Sequence, residues 1–220
     1  MLQNFTENLN SIKEKVTKIA DGLLSANELI LEALQDCDTQ KFSDAKGFIK
    51  NISSKTDAID NEIIKVLALY TPEARDLRRV IAYMKITNEL SRACSNTRSF
   101  IKGFTDVCSD VDTQIIKEYA LPMQSSTVKA IQTMISMLHV DDADEIQELY
   151  NDVLIEEHKI GDLYEIVEAN LHKFANELDE FEKFYRMLRA LRKSAKIADR
   201  TSSIANLLVY IQVGGNFQKQ

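Results

Sequence analysis

The sequence has no tryptophan, two prolines, six glycines and three cysteines among its 220 residues. Sheet folds of this length need many tight turns rich in Gly and Pro, so the scarcity of both argues against an all-β or α/β architecture. With aromatics at only 7%, core burial rests on aliphatic side chains. Cys37, Cys94 and Cys108 are odd in number and form no C-x-x-C pair, which excludes a disulfide scaffold and points to a reducing cytoplasm. Long hydrophobic runs are lacking too. The start is polar from Gln3 onward, unlike a signal peptide. The most apolar stretch, Ile204 to Val213, is broken by Asn206 and Gln212 and falls short of the roughly 20 residues a bilayer span needs. The expectation is a soluble cytoplasmic protein that reaches a membrane only through a partner. A net charge of −7 argues against general nucleic-acid binding, which requires a basic surface.

What is present is helical periodicity. Phe5, Leu9, Ile12, Val16, Ile19, Leu23, Ala26, Ile30 and Leu34 step by three or four and predict one long first helix. Asp38 or Thr39 caps a second helix through Phe48, Ile52, Ile59, Ile63 and Val66 to about Leu69. Thr71-Pro72-Glu73 opens a third: Thr71 accepts from an orphan N–H, Pro72 has none to lose, and Glu73 suits the positive end of the dipole. That helix carries Leu77, Ile81, Met84, Leu90, Thr97 and Phe100, with Gly103 as its stop. The polar stretch from Asp106 to Asp112 reads as a linker. After it comes a helix to about His139, containing Pro122, which should kink it or mark its true start. An acidic turn at Asp141 and Asp142 follows, then a helix to about Phe174 and a last one from about Glu177 to Ile211, ended by Gly214-Gly215.

The third and last helices superpose at an offset of 104 residues. Leu77 then meets Phe181, Ile81 meets Tyr185, Met84 meets Leu188, Ala93 meets Ile197 and Phe100 meets Ile204. Polar residues follow, Lys85 with Arg189, Arg92 with Lys196 and Thr97 with Thr201. The sequence thus reads as an all-α chain of six long helices in two tandem three-helix bundles, residues 1–106 and 112–215. Helices of about 30 residues are some 45 Å long, so the bundles are elongated.

Catalytic signatures are missing. No G-x-S-x-G, P-loop, G-x-G-x-x-G or H-E-x-x-H occurs, and no Glu-x-x-His pair precedes any histidine. His158 and Asp162 stand one turn apart, as two metal ligands or an exposed ion pair. The charge is segregated. From Asp141 to Glu182 there are 15 acids against two bases. Arg189, Lys193, Lys196 and Arg200 fall within about 60° of one helix face, and Arg78, Lys85 and Arg92 recur every seven residues. These cations read either as a solvated face paired with the acidic fifth helix, or as a surface for an acidic protein or an anion.

The segment Pro72-Glu73-Ala74-Arg75-Asp76-Leu77-Arg78-Arg79-Val80-Ile81 resembles the opening of the third helix in the PhoU phosphate-transport regulators. Ile197-Ala198-Asp199-Arg200-Thr201-Ser202-Ser203-Ile204-Ala205 is similar to a block in that family's last helix, and Val209-Tyr210-Ile211-Gln212-Val213-Gly214 to its ending. The resemblance implies a cytoplasmic, non-enzymatic adaptor between a phosphate ABC transporter ATPase and a phosphate sensor histidine kinase. Such an adaptor restrains uptake, silences the starvation response and is often a homodimer. The alternative is an accessory subunit of another transporter or kinase that keeps the scaffold without the phosphate role. Some family members bind iron or zinc clusters through a Glu-Arg-Ile-Gly-Asp motif in each half. Here the matching blocks are Ser91-Arg92-Ala93-Cys94-Ser95 and Ala195-Lys196-Ile197-Ala198-Asp199. Of four expected carboxylates, at positions Ser91, Ser95, Ala195 and Asp199, only the last remains. The expectation is therefore no metal and no other cofactor unless Glu62, Asp162 or Glu165 swings in. The partner- or anion-binding candidates are Arg78, Lys85, Arg92, Arg189, Lys193, Lys196 and Arg200.

Overall fold

Asp38, one of the two caps the sequence offers, starts the second helix. Its carboxylate accepts from the backbone N–H groups of Gln40 at 2.9 Å and Lys41 at 3.1 Å, two of the donors a helix start leaves unpaired. The computed structural model describes residues 2–72, 74–108, 110–170 and 178–214. Every regular element among them is a helix: α1 (Leu2–Asp36), α2 (Thr39–Phe48), α3 (Ile52–Tyr70), α4 (Ala74–Val107), α5 (Thr113–Met137), α6 (Ala143–Asn170) and α7 (Leu178–Val213).

The all-α fold matches expectation, but the second of the six expected helices is two. It breaks between α2 and α3, where Asn51 adopts φ 56°, a left-handed conformation that Asn tolerates better than most residues. The Arg98 guanidinium donates to the Ile49 carbonyl at 2.9 Å, satisfying an acceptor the break sets free. The break also shifts the helical phase. Ile49 and Ile52 are buried, while Phe48 stands 47% exposed. Phe48 can lie against α1 because Gly22 has no side chain; a Cβ there would meet the Phe48 carbonyl oxygen at 2.8 Å.

Three other boundaries differ. Thr71 is the left-handed C-cap of α3 rather than the N-cap of α4. Gly103 does not stop α4, which continues to Val107; it lets α4 approach α7 closely, since a Cβ there would sit 2.9 Å from that of Ala190. Helix α5 runs through Pro122 from an N-cap at Asp112, whose carboxylate accepts from Gln114 N–H at 2.8 Å. Glu73, Phe174, Glu177 and Gly215 lie outside the described residues.

Helices α4 and α7 run antiparallel. Arg75 reaches Gln212 near one end, Glu89 meets Arg200, Gly103 abuts Ala190, and Asp110, just past α4, bonds Arg186 near the other. The apolar interior forms two clusters, one at each end of this pair. One gathers Ile12, Val16, Ile59, Ile86, Ile131, Val153 and Ile204; the other gathers Leu34, Phe42, Phe100, Met123, Ile160 and Leu191. Each draws on helices from both sides of residue 110.

Candidate functional site

The α4–α7 pair has two polar sides. On the inner side, where four helices cross between the two apolar clusters, Asn27, Thr97, Gln124 and Ser194 are completely buried. The Asn27 amide donates to the Leu23 carbonyl at 2.8 Å and to Thr97 Oγ1 at 3.4 Å. The Gln124 amide donates to the Asn27 carbonyl at 3.0 Å and to Asn27 Oδ1 at 3.1 Å, while Ser194 Oγ donates to Gln124 Oε1 at 3.4 Å. This chain of bonds runs α4–α1–α5–α7 and ties the helices before residue 110 to those after it. Buried amides are costly unless paired, so the network specifies one register for the crossing helices.

On the outer side, cations line the seam. By helical register, Lys85 and Arg92 on α4 flank it from one side and Arg189, Lys193 and Lys196 from the other. Glu89 sits in the seam, 19% exposed at its side chain, and takes two guanidinium groups: Arg200 at 3.0 Å and Arg92 at 3.9 Å. The structure therefore separates the candidates. Arg200 is held in an ion pair across the seam. Arg78 lies over the Tyr210 ring, its guanidinium carbon 5.8 Å from the centroid. Lys85 lines a cleft. Among the described residues, Arg189, Lys193 and Lys196 have no ion pair, and no ion pair joins α7 to the acidic α6.

The cleft that Lys85 lines has a volume of about 510 Å³ and lies between α4, α6 and α7. Asn88, Glu89, Glu157, His158, Ser202 and Asn206 contribute to its wall, a mixture of both signs with amides and hydroxyls. Burial, with the Glu157 carboxylate nearby, pushes the Tyr150 phenol up. His158 pairs with Glu157 at 3.6 Å and not with Asp162.

The degenerate motif positions are spread along the same helices. Ser91, Ala195 and Asp199 are half-buried and Ser95 is exposed. The Asp199 backbone carbonyl accepts from Ser203 Oγ at 2.8 Å and from Ser202 Oγ at 3.2 Å, bonds internal to α7. Glu62 is engaged by Lys15 and Ser11 on α1, and Asp162 lines a separate cavity beside Pro122. Among the described residues no group of three or more His, Cys, Asp or Glu side chains is arranged to hold a metal ion.

Sequence reasoning missed Glu89, Asn27, Gln124 and a cysteine pair. Asn27 carried a signal, an amide one turn from Leu23 and one short of Ile30 in an otherwise apolar stripe. The odd cysteine count, which excluded a disulfide scaffold, concealed a single bond between Cys37 and Cys108, 71 residues apart. Cys94 is the free thiol.

Residues 16–100 match the PhoU domain family model. No curated protein sequence matches the chain. The crystal structure of PhoU from Pseudomonas aeruginosa superposes with a TM-score of 0.75 at 20% identity, covering 97% of this chain and 98% of that one. The phosphate transport system regulatory protein PhoU from Streptococcus pneumoniae gives 0.77 at 17% identity, covering 96% and 98%. At these identities the likeness establishes the fold.

Proposed function

From the premise that the chain carries a PhoU domain over residues 16–100 and the PhoU fold over nearly its whole length, we propose that it regulates phosphate uptake as a non-enzymatic adaptor. It acts in the cytoplasm on the ATPase of a phosphate ABC transporter and on a phosphate sensor kinase, holding uptake and the starvation response down when phosphate is plentiful. The observation that carries this reading is the outer face of the α4–α7 seam. Among the described residues Arg189, Lys193 and Lys196 on it form no ion pair although the chain is acid-rich, as a surface that recognises an acidic partner requires. Among the described residues no helix is long and apolar enough to cross a membrane, which supports contact with a transporter through its soluble subunit. Residues 1–106 and 112–215 form the two repeats, and the chain pairs as a homodimer without a metal cofactor.

Replacement of three motif carboxylates by Ser91, Ser95 and Ala195 favours a second reading, an accessory subunit serving another transporter or kinase. Deleting the gene distinguishes the two. The phosphate reading expects raised phosphate accumulation and derepressed alkaline phosphatase in rich medium; unchanged values of both would overturn it. A pull-down from membranes then identifies the partner. Light scattering expects twice the 25.0 kDa chain mass at micromolar concentration, and the chain mass alone would refute the dimer.

A further inference from the structure

The disulfide between Cys37 and Cys108 joins the turn after α1 to the connection between α4 and α5, with Cα atoms 5.4 Å apart. Among the described residues few polar contacts fasten either segment to the rest, although Phe42, Ala45 and Val111 pack on the second apolar cluster. Helix α2, which follows Cys37, has ten residues, fewer than the roughly 12–15 at which an isolated helix becomes even marginal. It is held by the burial of Phe42 and Ala45, by the Asp38 cap, and by an exposed ion pair between Lys41 and Glu32. The connection is bonded to the first repeat through Cys108 and to α7 through the ion pair of Asp110 with Arg186, at 2.9 Å and partly exposed. Exposed pairs of this kind contribute little. The covalent bond is thus the strongest tie between the α1–α2 corner and the stretch that links the repeats.

We propose that this disulfide is a redox latch: exchange with a dithiol reductant opens it and loosens α2 and the inter-repeat connection while both apolar cores persist. One thiolate of the reductant attacks one latch sulfur, the Cys37–Cys108 bond breaks, and a mixed disulfide forms. The reductant's second thiol displaces it. Cys37 and Cys108 end as two thiols, having gained two electrons and two protons, and the reductant ends as a disulfide. The two latch sulfurs belong to half-buried residues at the edge of the second cluster, within reach of such a reagent. Cys94 behaves oppositely: it is fully buried, and burial pushes its thiol up to about 12, so it stays inert in the folded chain. The cores persist because α2 supplies only Phe42 and Ala45 to them. This inference is independent of the phosphate reading.

Thiol counting and hydrogen exchange test it. After treatment with oxidised glutathione and removal of the excess, denatured protein should expose one maleimide-reactive thiol per chain, and three after reduction. The reduced native protein should exchange amides at least tenfold faster in residues 38–48 and 110–116, with the centres of α4 and α7 unchanged. Its Tm should fall by roughly 5–15 °C. Cys108→Ser should reproduce the reduced pattern in oxidising buffer, and Cys94→Ser should leave the oxidised pattern intact. Three reactive thiols before reduction, or identical exchange in the two states, would overturn the latch.

Discussion

The two sides of the α4–α7 pair use polar residues in opposite ways. On the inner side Asn27, Thr97, Gln124 and Ser194 are wholly buried and bonded to one another. On the outer side Arg189, Lys193 and Lys196 have no ion-pair partner among the described residues, although the chain carries an excess of acids. Burial explains the contrast. An unpaired amide in the interior costs free energy on folding, whereas an unpaired ammonium in water costs almost nothing. The inner network is therefore answerable to stability and the outer cations to whatever they meet. Glu89 stands between the two, fastening Arg200 across the seam and drawing in Arg92.

Substitutions should separate the two sides, beginning with the inner one. Gln124→Leu leaves Asn27 Oδ1 and the Ser194 hydroxyl without their bonds, and should cost about 2–4 kcal/mol in urea unfolding. Asn27→Leu combined with Gln124→Leu should recover part of that loss, because no amide is then left unpaired. A Gln124→Leu protein as stable as the parent would show that the network is incidental. Gly103→Val pushes against Ala190 and should cost about 1–3 kcal/mol, read as a lower thermal midpoint; no loss would mean that α4 and α7 pack less closely there. Glu89→Ala should cost no more than about 1 kcal/mol, an effect that fades as salt is added. It should also strengthen anion or acidic-peptide binding by releasing Arg200 and Arg92, measurable by calorimetry. The smallest change is expected for Arg92→Glu with Lys196→Glu, within about 0.5 kcal/mol of the parent on denaturation. A large loss there would place these cations among the stabilising contacts.

The inner and outer sides were not equally legible in the sequence. The apolar stripe of α1 and the cation spacing of α7 are periodic, and period alone assigned them to core and surface. Ile81 and Tyr185, read as apolar positions of their helices, are both exposed, at 38% and 45%, rather than in the core. The break at Asn51 was hidden because Phe48 and Ile52 keep helical spacing across it. What decides it is tertiary: Gly22 admits the Phe48 carbonyl, and Arg98 satisfies that of Ile49. Gly103 looked like a helix stop because its actual role, a close approach to Ala190, depends on a residue 87 positions away. The segregation of charge was visible in the sequence. That α6 and α7 would leave it unneutralised was not, because pairing depends on which faces the packing turns toward each other.

The central claim is that the outer cations serve recognition and the fold does not need them. The direct measurement is complementation of the deletion strain with the Arg92→Glu, Lys196→Glu protein, its folding checked by circular dichroism and thermal midpoint. The account predicts a normally folded protein that fails to repress alkaline phosphatase in phosphate-rich medium, as the deletion does. Full repression by that protein would contradict it.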